Sequence, residues 1–168
     1  LSTRTAHPDY LGRLQEIFNA AGINVRIHNP YALKTKGEML AECRNQDLLK
    51  LHAIASTSCG RFQRFGYKHC GRCVPCQVRR ASFKRWAAVK DDTPYVHENL
   101  GLRDKQHAWF DDVRSVGIAL ANVAENGFEE WLGHSLFSPF IQDRAGYRAM
   151  LARGLDELGQ LHHSYQLT

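Results

Sequence analysis

No apolar run in this chain approaches the ~20 residues that cross a bilayer; the longest, over residues 116–124, is far too short. A Ser/His/Asp nucleophile elbow, an HExxH helix and a G-x4-G-K-[ST] loop are also absent. Their absence excludes the common motif-bearing hydrolases, zinc proteases and P-loop nucleotide binders. There is no internal repeat and no low-complexity tract, and no apolar leader opens the sequence. Acidic residues are missing from residues 61–90, where nine lysines and arginines fall.

What remains is a chain of 168 residues, long enough to bury a respectable core as one domain or slightly more. A 43% hydrophobic and 23% charged composition is that of a globular protein rather than a disordered or membrane-spanning one. The net charge of +5 is uneven. Residues 1–97 hold 16 Lys/Arg against 7 Asp/Glu, and residues 98–168 hold 6 against 10. The basic run suits a polyanion such as nucleotide phosphate or nucleic acid. Its alternatives are a solvated face, or a patch that docks on acids such as those of the chain's own tail.

Five cysteines are present, and four of them read C-x10-C-x2-C-x2-C: Cys59, Cys70, Cys73 and Cys76. Four thiolates complete a tetrahedral zinc shell with no position open for water, which makes such a site structural. Disulfides suit an odd cysteine count poorly. An iron–sulfur cluster also takes four cysteines, but Cys59 lies far from the CxxCxxC run. Zinc is therefore the preferred reading, and metal-binding thiolates suit a reducing, cytoplasmic compartment. Cys43, among Met39, Leu40 and Leu48, reads as a buried apolar filler rather than a fifth ligand.

Helical and strand signals alternate in the first half. Residues 7–22 read as a helix, with Pro8 and Asp9 in its first turn, an apolar stripe of Leu11, Leu14, Phe18 and Ala21, and Gly22 as its stop. Ile23, Val25 and Ile27 alternate as in a strand with one buried face. Thr35 and Glu38 form a capping box for a helix carrying Met39, Leu40 and Cys43. Asp47 is expected to cap a short helix running to about Ala55. Pro75 opens a helix that carries Cys76, Val78, Arg79, Arg80, Phe83 and Trp86, with Phe83 and Trp86 in the core. One strand cannot make a sheet, so its neighbours are expected elsewhere.

The second half reads as helices. Trp109, Val113, Val116, Leu120 and Val123 keep helical spacing, and Asn126-Gly127 ends that run. Pro139 is expected to open another helix, with Tyr147, Met150, Leu151, Leu155 and Leu158 on its core side. His69 is a possible but superfluous ligand beside Cys70, and His162-His163 reads as surface. No residue is assigned to catalysis.

Ser58-Cys59, then HCGRCVPCQVRRASF over residues 69–83, then Asp92-Thr93-Pro94-Tyr95, resemble the C-terminal half of 7-cyano-7-deazaguanine synthases, the QueC family of queuosine biosynthesis. Pro8-Asp9 and residues 36–38 resemble that family's Pro-Asp helix start and its Lys-bearing helix. The resemblance spans about residues 1–97. It implies an α/β fold, the C-terminal part of an ATP pyrophosphatase (PP-loop) domain with a four-cysteine zinc knot. It further implies ATP-dependent activation of a carboxylate, such as 7-carboxy-7-deazaguanine, as an acyl-adenylate that ammonia then converts to an amide. Lys36, Arg79 and Arg80 become candidates to meet nucleotide or the substrate carboxylate.

This sequence departs from that pattern in three places. The S-G-G-x-D-S loop that cradles ATP is absent, so ATP would bind through an upstream half and this chain alone is expected to be inactive. The family's Pro-Asp-Cys-Arg start stands here as Pro8-Asp9-Tyr10. Residues 98–168 form an acidic helical extension, similar to that of longer relatives in bacterial antiphage defence systems of the Qat type; it reads as a surface that docks a protein partner or, in second place, as extra packing. The competing classes are a zinc-ribbon-like nucleic-acid module, using Phe62, Phe65, Tyr67 and Trp86 among the basic residues, and a structural adaptor held by zinc.

Overall fold

The computed structural model describes residues 6–101 and 112–167. Among these, the regular elements are seven α-helices and a short 3₁₀ turn. The helices are α1 (Pro8–Ala20), α2 (Lys36–Ala41), α3 (Gln46–His52), α4 (Val74–Trp86), α5 (Asp112–Asn126), α6 (Phe128–Leu132) and α7 (Arg144–Ser164). Trp109, expected on the stripe of α5, lies outside the described residues.

Local chemistry places most of these helices where the sequence puts them. His7 caps α1, accepting from the Asp9 amide, and Gly22 turns the chain at φ +69. The reciprocal box of Thr35 and Glu38 forms at the start of α2. Asn45, not Asp47, caps α3, which ends at His52. Asp143 caps α7, so Pro139 lies in irregular chain before it.

The expected strand over residues 23–27 does not form, and no β-strand occurs among the described residues. A lone extended segment lacks the neighbours that a ladder requires. Here Gln15 of α1 substitutes for one neighbour: its Nε2 donates to the Val25 carbonyl at 2.8 Å, and its Oε1 accepts from the Ile27 amide at 2.7 Å. The α/β sheet implied by the resemblance thus has no counterpart in these residues. One isolated parallel bridge joins His69 to Tyr95.

Helix α4 is the hub. One side carries Cys76 into the knot of four cysteines, against which Phe62, Phe65 and Tyr95 pack. A second side sets Phe83 and Trp86 against Ala53, Leu40 and Leu49. A third packs Ala81 with Leu100, Val113 and Leu161. The described residues of the 98–168 stretch therefore share a core with the first half. The stripe expected on α7 is only half-buried, and its deepest residues are Glu157, Leu161 and His162. His162, expected on the surface, is fully enclosed, while His163 is exposed.

Candidate metal centre

Cys59 follows the loop after α3, Cys70 and Cys73 flank a tight turn, and Cys76 sits in the first turn of α4. All four are buried, and their sulfurs lie within 4.8 Å of one another. The Cys59 and Cys73 sulfurs are 3.8 Å apart, and those of Cys70 and Cys76 are 3.9 Å apart. A zinc tetrahedron with ~2.3 Å bonds has sulfur edges of ~3.8 Å. The four side chains thus fit the ion as they stand.

Electrostatics point the same way. Backbone amides of Arg61 and Cys70 donate to the Cys59 sulfur at 3.3 and 3.4 Å, and the Cys73 amide donates to Cys70 at 3.3 Å. Hydrogen bonds from Cys73 and Cys76 hold the Cys70 thiol far below its usual range. The hydrogen bonds that Cys73 and Cys76 give to the Cys70 thiolate, then burial and the nearby negative charge, push both upward, so the sulfurs compete over which stay protonated. A divalent cation removes this conflict by neutralising the sulfurs together.

The turn between Cys70 and Cys73 needs Gly71. Its φ is +86, and a Cβ there would lie 2.3 Å from the His97 carbonyl oxygen. That carbonyl belongs to a segment laid along the knot: Val96 and His97 amides donate to the His69 and Cys70 carbonyls at 2.9 and 3.1 Å. His69 is not a ligand. Its Nε2 accepts from the Ser58 amide at 3.2 Å, and its ring meets Phe62 and Tyr95. Cys43 stands apart, half-buried, with its sulfur 3.7 Å from the Asn45 carbonyl.

Arg79 and Arg80 follow the last ligand, and both are buried. Arg79 Nε donates to Thr93 Oγ1 at 2.9 Å. Its terminal nitrogens donate to the Ser56 carbonyl and hydroxyl and to the Ala53 and Ile54 carbonyls. A guanidinium has five N–H groups, so all are matched within the chain. Arg80 lies 3.8 Å over the Tyr95 ring and donates to the Tyr165 hydroxyl and the His97 carbonyl, each at 2.9 Å. Tyr95 in turn donates to Asp91 at 2.7 Å, and Asp91 accepts from the Thr93 amide. The Asp91-x-Thr93-x-Tyr95 sequence is thus a clasp for the two arginines. Burial, then the Asp91 carboxylate, push the Tyr95 hydroxyl above its usual range.

Much of the acid-free basic run is matched internally too. Arg61 pairs with Asp112 at 3.3 Å, Arg72 donates to the Leu100 carbonyl at 2.7 Å, and Arg85 pairs with Glu157 and Glu38. Lys36 is different. It is exposed at the first position of α2, on the rim of a 360 Å³ cavity between α2, α3 and α4. Met39, Leu40, Leu49 and Phe83 supply its apolar wall, and Ser58, whose hydroxyl is buried without a partner among the described residues, lies on its polar side. The structure therefore sets Lys36 on a cavity that Arg79 also lines, and turns Arg80 toward the tail. Sequence reasoning missed Gln77, whose Nε2 donates to the Arg72 carbonyl at 2.8 Å while its Oε1 meets His162 at 2.8 Å. No motif signals that contact.

Residues 5–87 match the family described as Queuosine biosynthesis protein QueC. The 7-cyano-7-deazaguanine synthase of Prochlorococcus marinus is 26% identical over 88 residues, covering 51% of this chain but only 38% of that protein's length. No solved structure matches. With the four-cysteine knot inside the matched stretch, this chain is a relative of the QueC family.

Proposed function

We propose that this chain is the zinc-bearing part of an ATP-dependent ligase of the QueC kind, acting on 7-carboxy-7-deazaguanine or a similar heteroaromatic carboxylate. The observation that carries the reading is the closed four-sulfur knot within the stretch related to QueC. The curated relative's name, 7-cyano-7-deazaguanine synthase, supplies the substrate class.

In this reaction a carboxylate oxygen attacks the α-phosphorus of ATP and pyrophosphate leaves. Ammonia or an amine then forms the C–N bond, the C–O bond breaks, and AMP departs. Activation is needed because a carboxylate resists nucleophiles until a better leaving group replaces its oxygen. Zinc supplies fold stability, since four thiolates leave it no open position. Cys59, Cys70, Cys73 and Cys76 hold it. Lys36 sets a cation at the mouth of an apolar cavity, the arrangement that orients a flat anion.

ATP binding belongs, in this reading, to an α/β half carrying the S-G-G-x-D-S loop that this sequence lacks. The segment at residues 23–27, with no strand partner among the described residues, supports that completion: Ile23 is 46% and Val25 53% exposed beside Ile17 at 62%. Alone, the chain is inactive. Deazapurine synthesis is the process proposed, with antiphage defence the setting favoured by the extension. The nucleic-acid reading keeps one exposed aromatic, Tyr67, but loses support because Trp86 is buried in the core and Phe62 and Phe65 pack on the knot.

The test is pyrophosphate exchange into ATP by this chain combined with its α/β half. Exchange that requires 7-carboxy-7-deazaguanine, with one zinc per chain by elemental analysis, is expected. Metal-free protein with sulfurs open to alkylation, or exchange indifferent to the carboxylate, overturns the reading.

A further inference from the structure

Helix α7 lies outside the stretch that matches QueC, yet two of its most deeply buried side chains are polar. The Glu157 carboxylate accepts from the Thr35 hydroxyl and the Gly37 amide, and Arg85 approaches it to 3.3 Å. One turn earlier, Arg153 donates to both oxygens of Glu38, at 2.6 and 3.2 Å, and to the Leu33 carbonyl at 2.9 Å. Thr35 and Glu38 are the two halves of the box that starts α2, and Lys36 stands between them. The fit is close: a Cβ on Gly37 would lie 2.4 Å from Arg85 Cδ and 2.8 Å from a Glu157 oxygen.

The same helix is anchored at the knot. His162 meets Gln77, and Gln77 holds the carbonyl of Arg72, the residue before Cys73. A helix needing only to cover the core would use apolar residues here, because a buried carboxylate costs desolvation that packing alone does not repay. Buried charge with fixed partners favours one geometry over others.

The geometry points to α7 as a strut, anchored beside the metal knot, that fixes the Lys36 wall of the cavity. Glu157 and Arg153 are then positioning residues for Lys36, and the extension is part of the site. What Lys36 meets rests on the ligase reading above; the strut itself is observable without any ligand.

The experiment compares the zinc-loaded chain with its Glu157→Gln and Arg153→Met variants. Hydrogen exchange at the α2 amides and the Cε–Hε signal of Lys36 in lysine-labelled protein are recorded together. Each variant is expected to speed α2 exchange about tenfold, the loss of one charge-assisted hydrogen bond. The Lys36 signal shifts from its parent position as the first turn of α2 loosens, while α4 exchange and zinc content stay at parent values. Arg153 is only half-buried, so its variant stays informative if Glu157→Gln fails to fold. Parent-like α2 exchange and Lys36 signal in Arg153→Met overturn the strut, as does loosening of α4 to the same degree as α2. Adding 7-carboxy-7-deazaguanine to the parent separates the two readings. If Lys36 does not respond while the variants behave as expected, the strut stands and the substrate assignment falls.

Discussion

Arg79 and Thr93 meet through a 2.9 Å hydrogen bond that ties α4 to the segment following it. The other four donors of Arg79 reach back to Ala53, Ile54 and Ser56, the loop that leads into Cys59. One buried guanidinium therefore closes both chain segments over the knot. Lysine offers a point charge on a flexible stem and cannot span those five acceptors. Arg79→Lys is expected to lower the stability of the zinc-loaded protein by about 3–5 kcal/mol, as for breaking a buried charged network. Denaturant unfolding measures this. An unchanged midpoint would mean that the guanidinium is free to serve a ligand instead.

The knot was readable because ligand spacing is a local property: a zinc shell sets the sequence separations of Cys70, Cys73 and Cys76 directly. The capping box at Thr35 and Glu38 was readable for the same reason. Glu157 and His162 were not. Their neighbours read as an ordinary amphipathic surface, and their burial is decided by α2 and α4, 80 or more positions away. Residues 23–27 show the opposite failure. Their alternation is a true β signal, but a strand exists only with a neighbour, and Gln15 takes that place here.

Gly71 and Gly22 both have positive φ, +86 and +69, yet only the first is crowded. At Gly22 a Cβ would meet nothing within 4 Å, so Gly22→Ala costs backbone strain alone, about 1–2 kcal/mol. At Gly71 it would also drive the His97 carbonyl off the knot. Gly71→Ala is expected to weaken zinc binding by at least about tenfold, the equivalent of one lost hydrogen bond to a charged group. Competition with a chromophoric chelator reads the difference. Equal zinc affinity in the two variants would contradict the role of the 95–97 segment.

His162 gives the protein an acid-sensitive element. Burial lowers its pKa below the ordinary 6.5, so the folded state holds it neutral. The unfolded chain then binds the extra proton as pH falls below about 6.5, and stability drops through that window and is complete above it. The slope is about 1.4 kcal/mol per pH unit until the folded pKa is reached. His162→Gln is expected to flatten this part of the stability profile. Acid also unloads thiolate-bound metal, a contribution common to both proteins that their difference removes. Parallel profiles between pH 5 and 7 would show that His162 titrates normally.

The segment at residues 23–27, which has no strand partner among the described residues, yields the sharpest test of how the proposed ligase is completed. Ile23 and Val25 project into solvent on a stretch with strand-like alternation, and α1 beside them has no fully buried residue. An exposed stretch with this alternation suits pairing with another strand, in which Gln15 would give up the Val25 carbonyl and the Ile27 amide. If the α/β half pairs here, a lysine at Val25 places an ammonium against the incoming apolar face. Val25→Lys is expected to weaken association with that half more than about tenfold. The isolated chain should keep its melting midpoint, since surface changes usually stay within about 0.5 kcal/mol. Light scattering of the mixed halves reports the first effect and calorimetry of the chain the second. Association at parent strength with Val25→Lys would move the junction to another face, and a melted chain would mean that this segment already belongs to the core.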